Sequence, residues 1–216
     1  MGEQTMTDKC ILILSGGLDS TTVLYQLLSE NKTVIAISFN YGQKASKELQ
    51  YAKKTCEKLE VKHEIIDIST LKPCFQSSSI VNEEENDTST PYNTVVPSRN
   101  TILLELATAY AISNNANAVY CGIQKGDYND YPDTRPIFLD KINSLNQVNN
   151  YRYIPIYAPL YDLSKTEVVL KALQLGVPLD ETWSCYNQTE TPCGECYSCK
   201  TREKAIKEAK EILKNV

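Results

Sequence analysis

The sequence predicts an α/β fold: a doubly wound parallel sheet of five strands with a metal-binding segment near its C-terminus. Three observations carry this prediction. Strand-like and helix-like segments alternate along the chain, and right-handed crossovers turn such an order into a parallel sheet covered on both faces. The first apolar strand, residues 10–14, runs directly into Ser15-Gly16-Gly17-Leu18-Asp19-Ser20 and a helix pattern. Four of the eight cysteines crowd between positions 185 and 199.

The elements follow in order. Residues 10–14 form a strand and 19–30 a helix. Residues 33–41 (TVIAISFNY) make a second, buried strand through an unbroken apolar, β-branched run. Ala45, Leu49, Ala52, Cys56 and Leu59 share one face of a helix over 44–59, and 61–69 reads as the third strand. Residues 73–97 show no period and contain an acidic, polar stretch at 82–90. So long a connection predicts a mobile active-site loop or a disordered insert. Leu103, Leu104, Ala107, Tyr110 and Ala111 stripe a helix over 98–114. A strand at 118–123, a tyrosine- and aspartate-rich loop at 127–135, a helix at 137–148 and a fifth strand at 152–158 follow. Ser164 is the N-cap of a helix over 164–175 that Gly176 stops. After the cysteines, 202–213 is amphipathic through Ala205, Ile206, Ala209, Ile212 and Leu213. Residues 1–181 read as one domain. Residues 182–216, the cysteine segment and last helix, are expected to pack on it.

Composition narrows the function. The formal charge of −5 gives no basic surplus to grip a nucleic-acid backbone, which disfavours a nucleic-acid partner. No apolar run is long enough to span a membrane, and the polar N-terminal segment lacks a signal-peptide core. A cytoplasmic protein is expected. In that reducing compartment, clustered cysteines argue for metal rather than disulfides.

A strand turning tightly into a helix aims backbone N–H groups and the positive end of the helix dipole at one point. Gly16 and Gly17 allow close approach, and Ser15 and Ser20 add donors. The loop is a phosphate cradle, yet neither the Walker pattern nor the dinucleotide fingerprint. A bare glycine turn is the plainer alternative. Ser-Gly-Gly-x-Asp-Ser resembles the pyrophosphate loop of the ATP pyrophosphatase (PP-loop) superfamily, which implies a Rossmann-like, adenine nucleotide alpha hydrolase-like sheet. The resemblance implies ATP at Leu14, Ser15, Gly16, Gly17, Leu18, Asp19, Ser20, Thr21, Phe39 and Tyr41. Asp19 is then a candidate ligand for Mg2+, its alternative being a helix-start acid facing water.

Cys185-x7-Cys193-x2-Cys196-x2-Cys199 supplies four thiolates with the spacing of a closed, structural Zn2+ site. An iron–sulfur ferredoxin run would continue with x3-Cys-Pro, which Thr201-Arg202-Glu203 does not supply.

Over residues 10–202 the chain resembles the 7-cyano-7-deazaguanine synthase family. The motifs are the phosphate loop, Ser38-Phe-Asn-Tyr-Gly-Gln43, Val96-Pro-Ser-Arg-Asn-Thr101, Asp127-Tyr128 with Tyr131-Pro-Asp133 and Arg135, Leu163-Ser-Lys165, and Thr182-Trp-Ser-Cys-Tyr186. The resemblance implies an ATP-dependent C–N ligase. It would adenylate the carboxylate of 7-carboxy-7-deazaguanine, amidate it with ammonia, and dehydrate the amide to the nitrile, 7-cyano-7-deazaguanine. Asp19, Ser20, Arg99 and Lys165 are the candidate catalytic residues; Arg99, Asn100, Asp127, Tyr131, Asp133 and Arg135 are the candidates for holding the deazaguanine. Each has a plain alternative: a capping segment for Arg99 and Asn100, a solvated loop for the 127–135 group, a decorated helix start for Lys165. His63, the sole histidine, reads as structural and remote from these motifs.

The chain departs from the family pattern at Lys44-Ala45, Gln124, Asp130 and Thr134, near where substrate and ammonia should meet. An alternative is therefore an enzyme that joins the activated carboxylate to another amine, such as a protein N-terminus, and stops at the amide. A tRNA-modifying enzyme of the same superfamily is a second alternative, opposed by the acidic balance. A homodimer is expected.

Overall fold

The computed structural model describes residues 8–187 and 189–214. Five strands, β1 (Lys9–Ile13), β2 (Thr33–Asn40), β3 (Lys62–Asp67), β4 (Ala118–Tyr120) and β5 (Ile156–Tyr157), form one sheet in the order β3-β2-β1-β4-β5. Every pairing is parallel. The helices are α1 (Leu18–Ser29), α2 (Lys47–Lys58), α3 (Pro91–Thr94), α4 (Arg99–Ser113), α5 (Pro136–Asn146), α6 (Lys165–Gln174) and α7 (Tyr197–Lys214).

Strand alternation builds two cores. Ile11, Ile35, Ile37 and Phe39 point to one face, where Leu104, Ala107 and Ala111 of α4 and Ile142 of α5 cover them. Cys10, Leu12, Val34 and Ala36 point to the other, against Val23, Leu24 and Leu27 of α1, Ala52 and Cys56 of α2, and Val168 of α6. Both faces of a parallel sheet are thereby buried, as its continuous apolar strands require. A third cluster, Leu18, Val169, Ala172, Val177, Ala205 and Ala209, seats α7 on α1 and α6. Among the described residues no helix is long and apolar enough to cross a membrane.

Three expectations change in the structure. The 73–97 stretch is packed rather than loose: Phe75, Ile80, Val81 and Val96 enter the first core, and Lys44 Nζ holds the Glu85 carbonyl at 2.5 Å. Its apolar residues fall at irregular intervals because it carries a 3-10 turn and the short α3, so no single period reveals its burial. The fifth strand shrinks to two residues, and Asn143 Nδ2 and Oδ1 bond the Ile156 carbonyl and N–H on its outer edge, where a sixth strand would pair. The last helix begins at Tyr197, five residues before the expected start, and takes Cys199 into its first turn.

The capping box of α6 is complete. Ser164 Oγ accepts from the Glu167 N–H at 3.3 Å and Glu167 Oε2 accepts from the Ser164 N–H at 2.7 Å. Ser164→Ala should cost about 1 kcal/mol of stability, because an orphan helix N–H loses its acceptor. Urea denaturation checks this; an unchanged midpoint would show that the cap contributes nothing.

Candidate active site

The strand order reverses direction on either side of β1, and the crevice outside the carboxyl ends of β1, β2 and β4 is where such sheets bind ligands. The phosphate loop occupies that position. It is closed by its own side chains: the Ser15 N–H donates to Ser20 Oγ at 3.2 Å, the two hydroxyls lie 3.0 Å apart, and the Gly17 N–H donates to Ser15 Oγ at 3.2 Å. Gly16 has φ +88°, and a Cβ there would stand 2.1 Å from the Glu48 carbonyl oxygen. The loop therefore passes directly beneath the start of α2, an approach only glycine allows. A Cβ on Gly122, just past β4, would meet the Ser20 backbone nitrogen at 2.9 Å.

A cavity of about 290 Å³ opens above the loop. Leu14, Ser15, Gly17, Leu18, Asp19 and Ser20 line it from the loop, Phe39 and Tyr41 from the end of β2, and Arg99 and Asn100 from the start of α4. Asp127, Tyr131 and Lys165 complete the expected set in its wall. Four expected residues lie elsewhere. Gly16 presents its Cα side to α2 rather than to the cavity. Thr21 is one helical step past the loop and is buried at 1% exposure. Asp133 is not in the cavity wall itself: its backbone carbonyl accepts from Asn100 Nδ2 at 3.2 Å, and its carboxylate charge acts on the wall residue Arg99. Arg135 is exposed and donates from Nε to the Tyr128 carbonyl at 2.9 Å, so it braces the 127–135 loop from outside.

The charges in the wall are arranged around Lys165. Its Nζ donates to both carboxylate oxygens of Asp19, at 2.7 and 2.6 Å, a partly exposed ion pair at the cavity wall. Burial pushes the nearby Asp127 carboxyl up to about 7; the Lys165 charge opposes this and the Asp19 charge adds to it. Across the cavity, Arg99 Nη1 donates to Tyr41 Oη at 3.2 Å, and its guanidinium sits 5.7 Å from the Tyr41 ring centre. Tyr41 is held edge-on by Phe75 of the 73–97 stretch, at 6.2 Å between ring centres. Tyr131 Oη bonds Thr94 Oγ1 at 2.9 Å, so α3 also supports the wall.

Several wall residues escape sequence reasoning. Glu48, Trp183, Tyr186 and Tyr197 line the cavity with the expected set. Trp183 and Tyr186 stand in the Thr182-Trp-Ser-Cys-Tyr186 motif, so proximity to a cysteine was their signal; Glu48 carried none beyond following Tyr-Gly-Gln. His63 is less remote than its position suggests. Its Nε2 lies 2.7 Å from Ser38 Oγ, which donates to the Leu14 carbonyl at 2.5 Å, immediately before the loop.

The four cysteine sulfurs lie within 4.8 Å of one another. A tetrahedral zinc with Zn–S near 2.3 Å spaces its sulfurs at about 3.8 Å, and the Cys193 and Cys199 sulfurs are 4.0 Å apart. Backbone N–H groups of Glu195 and Cys196 point at Cys193 Sγ, at 3.4 and 3.3 Å, and that of Cys199 at Cys196 Sγ at 3.4 Å. Such donors stabilise thiolate, the form that binds metal. The cluster connects to the loop: the Trp183 N–H donates to the Gly16 carbonyl at 2.9 Å, and Trp183 Nε1 to the Cys185 carbonyl at 2.9 Å.

Comparison with known proteins gives a family and a fold. A family model described as "Queuosine biosynthesis protein QueC" matches residues 9–210. The chain is 40% identical over 208 residues to 7-cyano-7-deazaguanine synthase 1 of Colwellia psychrerythraea, covering 94% of this chain and 95% of that one. Among solved structures it resembles the U34-tRNA thiolase NcsA of Methanococcus maripaludis with its [4Fe-4S] cluster, at TM-score 0.53 and 20% identity, over 99% of this chain and 70% of that one. It also resembles a 4-thiouridine synthetase–RNA complex with bound ATP, at TM-score 0.55 and 16% identity, over 96% of this chain and 53% of that one. These two likenesses are of fold.

Proposed function

We infer the reaction from the family: the chain belongs to the QueC family of queuosine biosynthesis proteins. Its reading is synthesis of 7-cyano-7-deazaguanine from 7-carboxy-7-deazaguanine, ammonia and ATP. The observation that carries it is the single cavity that joins the phosphate loop to Asp19, Lys165, Arg99, Asn100, Asp127 and Tyr131.

A carboxylate is a poor electrophile, and adenylation supplies its leaving group. A carboxylate oxygen bonds to the α-phosphorus of ATP, and the bond to the bridging oxygen of pyrophosphate breaks. The N–H groups of the loop and the Ser15 and Ser20 hydroxyls receive the departing pyrophosphate. Lys165 and Arg99 offset charge on the phosphates. Asp19 is the carboxylate that would hold Mg2+ with phosphate oxygens, and the ion would neutralise the triphosphate. Asn100, Asp127 and Tyr131 serve the deazaguanine: an acid and an amide match its amino-imino edge, and a tyrosine ring its face. Ammonia then displaces AMP to give the amide. A second ATP activates the amide oxygen, and loss of AMP leaves the nitrile.

The four-cysteine cluster fits zinc. Four sulfurs close a tetrahedron and leave no open position, so the ion would fold the 183–199 segment rather than take part in the reaction.

No observation favours a different amine. The departing side chains are engaged in holding backbone or neighbours: Gln124 Oε1 accepts from the Gly126 N–H at 2.7 Å, Thr134 Oγ1 donates to the Tyr131 carbonyl at 2.8 Å, Asp130 accepts from Tyr197 Oη, and Ala45 is buried. The test is mass analysis of the protein with 7-carboxy-7-deazaguanine, ATP, Mg2+ and ammonium. The expected product is the nitrile, with one ATP converted to AMP and pyrophosphate at each adenylation. Product formed only on adding a peptide amine, or no carboxylate-dependent pyrophosphate release, would overturn the reading.

A further inference from the structure

The reaction has a proton problem that the wall described so far does not solve. When ammonia adds to the acyl adenylate, a C–N bond forms and the nitrogen becomes positively charged. AMP leaves with the C–O bond pair, and the nitrogen must lose a proton to become a neutral amide. Asp19 is unsuited to accept it, with both oxygens bound to Lys165. Lys165 and Arg99 are cations, and Asp127, the other raised carboxyl in the wall, is assigned to the deazaguanine edge.

We propose that Glu48 is the general base that takes this proton. The inference rests on the reading of the site as an adenylating, amide-forming ligase and assigns a residue within it. Glu48 lines the cavity from the first turn of α2, directly over the phosphate loop. Its Oε1 accepts a hydrogen bond from Gln43 Nε2 at 3.0 Å. Gln43 is itself immobilised, since the same Nε2 donates to the Phe39 carbonyl at 3.0 Å and Oε1 accepts from the Tyr41 N–H at 2.9 Å. One carboxylate oxygen is thus fixed by a rigid neutral donor. Among the described residues none donates a hydrogen bond to Oε2 and no cation pairs with the group. An oriented carboxylate with one open oxygen, beside but not bound to cations, is what proton abstraction in a cavity requires.

The surroundings tune it in the same sense. Burial pushes the Glu48 carboxyl up to about 7, against the Gln43 hydrogen bond and the charge of Arg99. The groups facing it are Gln43 and Tyr41 from the end of β2 and Arg99 from α4; Tyr41 stays protonated, because burial raises its phenol. A base poised near neutrality accepts a proton during addition and returns it to solvent afterwards.

The experiment compares wild type, E48Q and E48D in two assays. Carboxylate-dependent ATP–pyrophosphate exchange without ammonium reads adenylation; product formation with ammonium reads capture. In E48Q, capture should fall about 10²-fold or more, the size of a general-base contribution, with adenylate accumulating. Hydroxylamine is a much weaker base whose adduct sheds its proton to water readily, and should restore capture in E48Q as the hydroxamate. E48D keeps a carboxylate one methylene shorter and should be faster than E48Q, with an acidic limb in its pH–rate profile that E48Q lacks. Capture in E48Q within about threefold of wild type, loss of exchange together with capture, or E48D no faster than E48Q would each overturn the assignment. Absence of exchange in the wild type would instead overturn the adenylation reading itself.

Discussion

Asp19→Asn should lower pyrophosphate release from ATP by at least about 10²-fold, the scale on which a preorganised charge at a reacting phosphate acts, while the protein stays folded. Asn keeps the shape of Asp, so α1 and the loop keep their backbone. What changes is charge. Lys165 Nζ loses the carboxylate it holds through two bonds of 2.7 and 2.6 Å, and the proposed magnesium site loses its anionic ligand. The unpaired ammonium still attracts triphosphate, so nucleotide binding should survive better than turnover. The stability change should be about 1 kcal/mol or less, as the pair lies at a cavity wall that water reaches. Pyrophosphate release, nucleotide titration and circular dichroism together check this. Turnover within about threefold of wild type would remove Asp19 from the chemistry.

The order of elements was legible because two periods alternate cleanly. The 33–41 run has the unbroken apolar character of a strand buried on both faces, and the structure buries it between α1 and α2 on one side and α4 on the other. The loop's place was legible because strand, glycines and helix follow without a gap, although its Ser15 and Gly17 N–H groups donate to its own serine hydroxyls. The four cysteines were legible by spacing, and their sulfurs do converge.

What escaped reading depends on contacts distant in sequence. Glu48 looks like an ordinary helix-start acid until Gln43 is seen to lock one of its oxygens. His63 looks isolated because its link to the loop runs through Ser38, 25 positions away. The 73–97 stretch looks polar because its acidic middle is exposed, whereas Phe75 and Thr94, near its ends, support Tyr41 and Tyr131. Asp133 and Arg135 stand outside the cavity wall although the sequence groups them with it. They share a motif with Tyr131, but of the 3-10 turn over Pro132–Thr134 it is Thr134 that lines the cavity, while Arg135 bonds the Tyr128 carbonyl.

Stripping the metal, or replacing Cys193 by Ser, should disable the phosphate loop as well as the cysteine segment. The route is a chain of contacts. Cys185 is a proposed ligand, its carbonyl holds Trp183 Nε1, and the Trp183 N–H holds the Gly16 carbonyl at 2.9 Å. The ring packs in a small cluster with Cys185, Cys196 and Cys199 and tilts against Tyr51, with centres 5.4 Å apart. Without the ion, four thiols do not repay the entropy of closing a 15-residue segment, and metal affinity there is folding free energy. The sheet has its own two cores, so the loss should be local. Trp183 is the only tryptophan and is 3% exposed, so its emission reports this step directly. Wild type should carry about one zinc per chain. The Cys193→Ser and chelated proteins should lose it, shift tryptophan emission to the red, and bind ATP at least about tenfold more weakly, or 1.4 kcal/mol. The far-ultraviolet dichroism of the sheet should be retained. Iron and sulfide in place of zinc would refute the metal assignment. Metal-free protein with unshifted emission and unaltered ATP affinity would refute the coupling, leaving Trp183 and Gly16 joined by a hydrogen bond that neither site needs.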